Sequence, residues 1–558
     1  MGVPGVTGEV AVAYELPAQH PFVGLDAWRL LSLRAAASPA APFLIWHPFE
    51  GEGRTWSYAA FARDALAVAA GLRARGVRAG DRVLIHLENC PEFALAWFGC
   101  AALGAVAVTT NARSAADELR YYASDSAPVG AITQPRFAPL VAAAAPQLGW
   151  LTSLDADPAG PASNWQPDRE QSWSALAGDP DTVPPRAPDP GAPMSVQYTS
   201  GTTSRPKGVV WTHANALWAA RVNGAHEHLR ADDCHLITMP LFHANAMAYS
   251  LLPTIWCGGR AVLLPKWSTS RFWDVSVRYG CTWASLMGLS MRAVLSVEAP
   301  AAHSYRWFGA GAIVPQWGER LGVRTVGWWG MTETVSHGII SDPWLPQRPL
   351  AIGQPAPEYE IRVLAPDGVT PTGPEETGAL EIRGIPGLSM FAEYLNKPEV
   401  TAASYDANGW FATGDLVTVH ADGWISFADR AKDMLRVGDE NVAASEIERV
   451  IAEVPGIAEA AVVAQPDPKL DEVPVAFVVV AGADPAVVSG QVIAACAAKL
   501  AEFKVPRQVT VVAALPRSTI SKVNKSALRT FLASGDPVEQ AEQTWLAEAA
   551  ADPSGDAP

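Results

Sequence analysis

The alternation of helical and short apolar runs between residues 54 and 150 constrains the fold more than any other feature. Apolar residues at helical spacing from Ala65 to Val77 precede the strand-like run "DRVLIHL", and another helical run begins at Pro91. Such alternation is typical of βαβ units, in which helices cover a mainly parallel sheet. The 558 residues, 49% of them apolar, suffice for roughly three or four domain-sized units. The sequence therefore predicts an α/β fold.

The pattern changes twice in the second half of the chain. Short alternating strands with turn signals from Ile352 to Ile382 predict a small β subdomain. Beyond residue 429, two apolar strands, a helix from Val488 to Leu500 and a further strand predict a small α+β domain. We predict an N-terminal domain over residues 1–429, made of two α/β layers plus the β subdomain. A C-terminal domain over residues 430–535 and a disordered tail over residues 536–558 should follow. The Pro-, Asp- and Ala-rich residues 155–193 predict a surface loop.

Charge and cysteine content exclude several functions. The formal net charge of -16 argues against broad binding of nucleic acids or anionic membranes, which would repel an acidic surface. The six cysteines are scattered and show neither a C-x-x-C pair nor zinc spacing, which indicates a reducing compartment. The N-terminus lacks the order of a signal peptide. The longest apolar run, from Phe93, is shorter than the roughly 18 residues of a membrane span, so we interpret it as a buried helix leading into a strand. We expect a cytoplasmic protein without a stable membrane span; a homodimer is left open.

The stretch "YTSGTTSRPKGV", which begins at Tyr198, predicts an anion site. Five hydroxyls and two glycines offer donors for a phosphate, and Lys207 adds a positive charge. Composition alone would also fit a solvated linker, but strand-like runs flank the stretch on both sides. A Walker loop has its lysine after a glycine and before Ser or Thr, whereas Lys207 precedes Gly208. The sequence therefore predicts a phosphate-binding hairpin that is not a Walker loop.

Five motifs together resemble the acyl-adenylate-forming superfamily, which includes acyl-CoA synthetases, peptide-synthetase adenylation domains and luciferases. They occur in the order found in that family and span most of the chain: "YTSGTTSRPKGV" (198–209), "WWGMTET" (328–334), "GWFATGDL" (409–416), "DRAKDMLRVGDENVAASEIE" (429–448) and "PRSTISKVNKSALR" (516–529). The resemblance implies an ATP-dependent ligase that forms an acyl-AMP with Mg²⁺ and transfers the acyl group to CoA. It also implies that the small domain is mobile.

The resemblance assigns roles to individual residues. The catalytic group would be Lys522, Thr332, Glu333 and His243, with Glu333 and Thr199 as Mg²⁺ ligands. ATP phosphates would be held by Thr199, Ser200, Gly201, Thr202, Thr203, Ser204 and Lys207. Adenine, ribose and CoA contacts would come from Gly309, Ala310, Gly311, Trp328, Trp329, Gly330, Met331, Asp415, Arg430, Lys432 and Gly438. Trp329 takes the place of an adenine-stacking tyrosine, and Lys432 matches the hinge. Without the motif order, other interpretations would be ordinary: Glu333 as a structural residue, Asp415 as a turn residue and Lys522 as a solvated charge.

The acid-binding segment is "MPLFHANAM" (239–247), in which the resemblance places an aromatic or histidine gate at His243. Relatives that activate amino acids have an aspartate in this segment, and Phe242, His243 and Ala244 include none. We therefore expect a carboxylic acid without an α-amino group. Small residues in this region suggest room for a bulky apolar acid: Ala244, Ala246, Gly288, Ala310 and Gly311. The loop variant "TTSRPKG" also resembles that of carnitine/crotonobetaine-CoA ligases, which does not by itself assign a substrate.

Three positions depart from the family pattern: Ser204, Asp439 and Ser521 replace glycines, which tolerate left-handed backbone and close phosphate approach more freely. Adenylation is therefore the step in question. Two alternatives to the complete ligase remain open: an enzyme that performs only thioester formation from a supplied acyl-AMP, and an enzyme that loads a carrier protein. A nucleotide-binding pseudo-enzyme is a further class, against which the retained Lys522, Glu333 and Asp415 speak.

Overall fold

The computed structural model describes residues 19–114, 116–158, 171–199, 206–287, 289–430, 433–437, 440–468, 470–482, 484–500, 502–517, 523–534, 538 and 545. The chain divides into two compact units, the first over Met1–Ile361 and Ile382–Phe411 and the second over Arg362–Glu381 and Ala412–Pro558. This division differs from the predicted limits at residues 429 and 535, which stay a prediction.

The helices of the described residues are α1 (Ala27–Ala37), α2 (Tyr58–Ala74), α3 (Pro91–Leu103), α4 (Ala116–Ser126), α5 (Ala138–Ala144), α6 (Trp173–Leu176), α7 (His213–His226), α8 (Ala244–Ala246), α9 (Leu252–Cys257), α10 (Thr269–Tyr279), α11 (Leu289–Ser296), α12 (Pro315–Leu321), α13 (Pro398–Ala403), α14 (Ala444–Ala452), α15 (Pro485–Lys499) and α16 (Lys525–Ser534). None of these helices is long and apolar enough to cross a membrane.

The first fifteen strands of the described residues all lie in the first unit: β1 (Pro42–Trp46), β2 (Arg54–Ser57), β3 (Arg82–His86), β4 (Val106–Thr109), β5 (Gly130–Thr133), β6 (Leu151–Ser153), β7 (Pro193–Thr199), β8 (Lys207–Thr212), β9 (Cys234–Ile237), β10 (Arg260–Leu263), β11 (Trp283–Ser285), β12 (Trp307–Ala310), β13 (Arg324–Trp329), β14 (Ile339–Ile340) and β15 (Gln354–Pro355). The remaining strands are β16 (Glu360–Leu364), β17 (Glu376–Arg383), β18 (Glu393–Tyr394), β19 (Phe411–Val419), β20 (Ile425–Arg430), β21 (Met434–Val437), β22 (Glu440–Ala443), β23 (Ile457–Asp467), β24 (Asp471–Val480) and β25 (Gln508–Val511).

Two mixed sheets organise the first unit. One has the order β15-β14-β13-β12-β11-β9-β10-β1-β2, and the other has the order β18-β8-β7-β4-β3-β5-β6. Their central strands are parallel, as between β3 and β4 or between β12 and β13. Strands β4 and β5 are buried along their whole length, which explains why their sequences are unbroken apolar runs rather than alternating ones. The predicted α/β fold is confirmed.

The apolar run from Phe93 forms α3, as the sequence analysis predicted. Pro91 stands in its first turn, where a missing N–H is tolerated, and Gly104 ends it with φ 72°. The helix is apolar on all sides because it is buried on all sides, and it leads directly into β4. The predicted surface loop 155–193 is only partly a loop, since it contains α6, whose Leu176 is buried.

The second unit contains two sheets among its described residues. The order β16-β17-β19-β20 forms a four-stranded sheet, and the order β22-β21-β24-β23, with β25 beside β24, forms a five-stranded one. The apolar faces of α14 and α15 share a core with the second sheet, including Ile447, Val478 and Val492. This is the small α+β fold that the sequence predicted.

Candidate active site

The predicted phosphate hairpin is formed by β7 and β8. The two strands pair in antiparallel fashion, and Thr199 lies opposite Lys207 at the loop end of the hairpin. The Thr199 hydroxyl lies 3.5 Å from the Lys207 carbonyl oxygen, which is the limit of a hydrogen bond. Ser200, Gly201, Thr202, Thr203 and Ser204 lie outside the described residues. The strand–loop–strand arrangement that the sequence predicted is thus confirmed for the two stems.

Lys207 and Glu333 both contact one tyrosine, Tyr394. Strand β18 pairs with β8, and this places the Tyr394 ring 4.0 Å from the Lys207 Nζ atom. The Tyr394 hydroxyl donates a hydrogen bond of 2.8 Å to Glu333 Oε1. Burial, together with the neighbouring Glu333 carboxylate, raises the pKa of Tyr394, so the phenol remains a donor. We call Lys207, Tyr394 and Glu333 the polar edge.

Backbone and side-chain hydrogen bonds fix the turn that carries Glu333. A short 3₁₀ turn, Thr332–Thr334, follows β13, and the Met331 amide donates to the Thr334 hydroxyl. The Trp211 indole donates to the Thr332 carbonyl at 2.8 Å, and the Phe391 amide donates to the Glu333 carbonyl at 2.8 Å. The Glu333 side chain is buried. The turn therefore holds a buried carboxylate in one orientation, with the half-buried Thr332 beside it.

Adjacent parallel strands bring the two predicted adenine-side loops to the same edge of the sheet. Ala310, at the end of β12, lies in register with Gly327 of β13. Gly309, Ala310 and Gly311 therefore neighbour the segment Trp328–Met331. A Cβ atom at Gly309 would lie 1.7 Å from the Trp328 ring, so glycine is required there for packing. The room beside Gly309 is taken by Trp328.

Behind these loops lies a group of buried aromatic and titratable side chains that we call the interior cluster: Glu227, Tyr249, Trp283, Trp328 and His337. The Trp328 and His337 rings stack with centroids 4.6 Å apart, and the Tyr249 ring lies 4.3 Å from that of His337. The cluster touches the motif directly, because a Cβ atom at Gly330 would lie 2.3 Å from the Tyr249 hydroxyl oxygen. Trp328 and Trp329, predicted to face the nucleotide, are both buried.

Glu227 stands out in this cluster because it is fully buried without an ion pair of ordinary length. His337 Nε2 lies 3.9 Å from Glu227 Oε1, and neither carboxyl oxygen has a partner of hydrogen-bond geometry among the described residues. Burial raises the pKa of Glu227 well above its usual value of 4.5, although the nearby Trp283 indole acts in the opposite direction. Burial likewise holds the pKa of His337 well below its usual value. Burial therefore favours the neutral form of both groups.

The predicted gate residue His243 begins the short helix α8, and its ring lies 4.3 Å from that of Phe242. Asn245 of this helix accepts a hydrogen bond of 2.8 Å from the Ser285 hydroxyl, at the end of β11. A π-helical turn, Met247–Leu251, follows and carries Tyr249. Such turns insert one extra residue per turn and often occur at functional sites. The segment thus joins His243 to the interior cluster.

The remaining predicted residues belong to the second unit. Asp415 is buried in β19 and lies directly opposite Arg430 of β20 in the antiparallel register. The Asp415 amide donates to the Thr413 hydroxyl at 3.1 Å. Lys432, Gly438 and Lys522 lie outside the described residues, as do Asp439 and Ser521.

The donor set of the polar edge fits a nucleotide triphosphate with Mg²⁺. A lysine suits phosphate oxygens, and a buried carboxylate with neighbouring threonine hydroxyls offers the hard oxygen ligands that Mg²⁺ takes. Lys207, Glu333, Thr199 and Thr332 would hold these groups. Sequence reasoning missed Tyr394 and Trp211, since neither stands within a motif; only strand pairing places them at the site.

Comparison with known proteins agrees with this geometry. The family profile described as AMP-binding enzyme matches residues 31–395, and the profile for the AMP-binding enzyme C-terminal domain matches residues 446–522. A crotonobetaine/carnitine–CoA ligase from Salmonella arizonae is 33% identical over 499 residues, covering 87% of this chain and 95% of the relative.

The chain is also similar in structure to solved enzymes. ATP-bound MatB from Rhodopseudomonas palustris has a TM-score of 0.79 at 26% identity and covers 91% of this chain and 100% of its own. The o-succinylbenzoate CoA synthetase MenE from Bacillus subtilis, in complex with ATP and a magnesium ion, has a TM-score of 0.77 at 26% identity, covering 90% and 99%.

The chain belongs to the AMP-binding, acyl-adenylate-forming family and to its acyl-CoA ligase branch. It is an AMP-forming acid–CoA ligase, which uses ATP to make an acyl-AMP before the thioester.

Proposed function

We propose that this ligase activates a neutral, hydrophobic carboxylic acid and transfers it to free CoA, with the polar edge serving adenylation. The observation that carries the role of the polar edge is the contact of both Lys207 and Glu333 with Tyr394, one with its ring and the other with its hydroxyl. In this reaction the acid's carboxylate attacks the α-phosphate of ATP, and pyrophosphate leaves; the CoA thiol then attacks the acyl carbonyl, and AMP leaves. Mg²⁺, when bound, neutralises charge on the phosphates.

Each residue of the polar edge contributes to the first step through a fixed position. Lys207 would contact phosphate oxygens, and the Tyr394 ring beneath it would restrict where the ammonium group lies. Tyr394 also donates to Glu333, which keeps that carboxylate oriented. Groups fixed before the reaction stabilise developing charge without the reorganisation that water would require.

The neutral character of the acid is supported by the interior cluster. Its rings are apolar, and burial raises the pKa of its one carboxyl group, Glu227, which favours the neutral form. Burying an ammonium group without a carboxylate partner would cost several kcal/mol, on the order seen for unpaired buried charges. The segment Leu241–Met247 supplies no such carboxylate. A panel of acids offered with ATP, Mg²⁺ and CoA, read by mass spectrometry, tests this proposal; amino acids as best substrates by kcat/KM would overturn it.

A second substrate class is favoured by the same carboxyl group. Glu227 is buried and close to aromatic rings, an environment that binds organic cations when the carboxyl ionises. An acid with a distal cationic group would have to ionise Glu227, so its KM should fall as the pH rises above 4.5 toward the raised pKa of Glu227. Isosteric neutral and cationic acids compared over that range, with Glu227→Gln as a control, distinguish the two classes.

The division between half-reactions rests on Lys522, which would serve adenylation only. Lys522→Ala should abolish release of pyrophosphate from acid plus ATP, with a loss of about 10²-fold or more, the scale for removal of one preorganised partner of a transition state. The variant should still convert supplied acyl-AMP and CoA to acyl-CoA. Equal loss in both assays would refute the division.

The same two assays on the unaltered enzyme address the glycine replacements. Use of acyl-AMP without any use of acid plus ATP would show that Ser204 and Ser521 have removed adenylation. Product formed only on a carrier protein, and not on CoA, would favour the carrier-loading alternative.

A further inference from the structure

A group of side chains outside the polar edge ties both stems of the phosphate hairpin to one ion pair. Lys397 Nζ lies 3.1 Å from Asp125 Oδ1, and their side chains are 25% and 10% exposed. Tyr121 and Asp125 are one helical turn apart on α4 and face the hairpin together. We call Tyr121, Asp125, Tyr198 and Lys397 the brace.

The hydrogen bonds of the brace connect Lys397 and Asp125 to both stems of the hairpin. The lysine ammonium can only donate, and it donates to Asp125 and, at 3.0 Å, to the Tyr121 hydroxyl oxygen. Tyr121 donates onward to the carbonyl of Pro206, 2.8 Å away, which immediately precedes Lys207 on the second stem. On the first stem, the Tyr198 hydroxyl donates to Asp125 Oδ2 at 2.9 Å.

The same ion pair also fixes the segment that carries Tyr394. The Lys397 amide donates to the Tyr394 carbonyl at 3.0 Å, and the Leu395 amide donates to the Gly208 carbonyl at 2.7 Å. Asn396, in the left-handed region with φ 55°, donates from its side-chain amide to the Asp125 carbonyl at 2.6 Å. Lys207 and Tyr394 are therefore held by chain segments that converge on Asp125 and Lys397.

The strength of the brace exceeds that of an ordinary surface pair. Exposed ion pairs contribute about 0–1 kcal/mol, because solvent screens them and long side chains lose entropy. Here each charged group makes two hydrogen bonds, and hydrogen bonds to charged groups are about twice as strong as neutral ones. Partial burial acts to lower the pKa of Lys397, but the bonds to Tyr121 and Asp125 outweigh it and the pKa is raised.

We propose that Asp125 and Lys397 are positioning residues for the triphosphate of ATP: they fix the hairpin stems and Tyr394 so that Lys207 is held where the β- and γ-phosphates bind. This proposal rests on the role given to Lys207 in the proposed function. It concerns the phosphates and neither the acid nor the adenosine part of the nucleotide.

Nucleotide affinity measured by calorimetry tests the proposal without knowledge of the acid. In Lys397→Met and Asp125→Asn, the Kd of ATP with Mg²⁺ should rise about 10-fold or more, the loss expected when a hydrogen bond to a charged group is removed. The Kd of AMP, which lacks the β- and γ-phosphates, should stay within about 2-fold. Asp64→Asn is the matched control, because Asp64 also lies on a helix and accepts from an arginine and an aromatic side chain, at 2.7 and 2.8 Å.

If Asp125 and Lys397 only stabilise the fold, the variants should show a different pattern of ATP and AMP affinities. Equal weakening of ATP and AMP, or unchanged ATP affinity, would overturn the proposal. If Lys397→Met does not fold, Tyr198→Phe removes one bond of the brace and should weaken ATP by a smaller factor, while Lys397→Arg should restore affinity. Failure of Lys207→Met to weaken ATP would instead refute the role of Lys207 in the proposed function, which separates the two outcomes.

Discussion

The polar edge and the interior cluster are neighbours in sequence and in space, but they treat buried polar groups in opposite ways. At the polar edge, Glu333 is buried and receives a hydrogen bond from Tyr394, on which Lys207 also packs. In the interior cluster, Glu227 is buried at 3.9 Å from a neutral histidine. Hydrogen bonds to a buried carboxylate fix its position, whereas burial without close partners favours the neutral form and reduces stability. We therefore assign charge chemistry to the edge and apolar contact to the cluster.

Among the variants that test this contrast, Glu333→Gln should have the largest effect on the rate. Loss of the charge should lower the rate of acyl-AMP formation by about 10²-fold or more. The fold should persist, because glutamine can still accept from Tyr394. Pyrophosphate release measures the rate. The matched variant Glu227→Gln should keep its rate within a few fold for a neutral acid; equal losses in the two variants would remove the distinction between the regions.

A smaller effect is expected for Tyr394→Phe, which keeps the ring beside Lys207 and removes the hydrogen bond to Glu333. A hydrogen bond to a charged group contributes about 1.5–3 kcal/mol, so adenylation should slow by about 10- to 100-fold. Tyr58→Phe is the control, since the Tyr58 hydroxyl donates only to neutral carbonyl oxygens, including that of Gly259 at 2.7 Å. The control should lose stability without loss of rate. A full-rate Tyr394→Phe enzyme would contradict the role of this tyrosine.

Gly309→Ala tests the packing of the interior cluster at Trp328. The added methyl group would overlap the Trp328 ring, at 1.7 Å, and displace it from His337. Overpacking of this kind destabilises by about 1–3 kcal/mol. Thermal unfolding measures the loss. Gly490→Ala, in helix α15 with open space around the site, should be neutral or slightly stabilising, and a similar loss there would show that the Trp328 contact is not the cause.

The smallest effect is a pH-dependent one at Glu227. Because its pKa is raised in the folded protein, the stability that the proton provides is fully present below the usual value of 4.5 and is lost as the pH rises toward the folded value. Glu227→Gln carries no such dependence. The melting temperature of the variant relative to the unaltered protein should therefore increase between pH 5 and pH 8. Each kcal/mol of unfolding free energy that the unaltered protein loses corresponds to ~2 °C. A difference that is constant with pH would show that Glu227 is ionised.

The hairpin shows what sequence reasoning could and could not reach. Strands flanking "YTSGTTSRPKGV" and the position of Lys207 before Gly208 were enough to predict β7 and β8, because alternation and glycine placement are local properties. Tyr394 could not be predicted in this way. It stands 61 residues from Glu333, outside every motif, and only the pairing of β18 with β8 brings its hydroxyl to that carboxylate.

The sequence by itself determined the fold class and the order of the motifs, because apolar periodicity and short motifs are encoded by neighbouring residues, and the ligase chemistry followed from the resemblance of those motifs to a known family. Tertiary structure alone decided that Gly309 accommodates Trp328, that Glu227 is buried with a raised pKa, and that Asp125 pairs with Lys397 beside the hairpin. These properties depend on which distant segments pack together and on how much water their packing removes, and a side chain's pKa and its room to move follow from that packing.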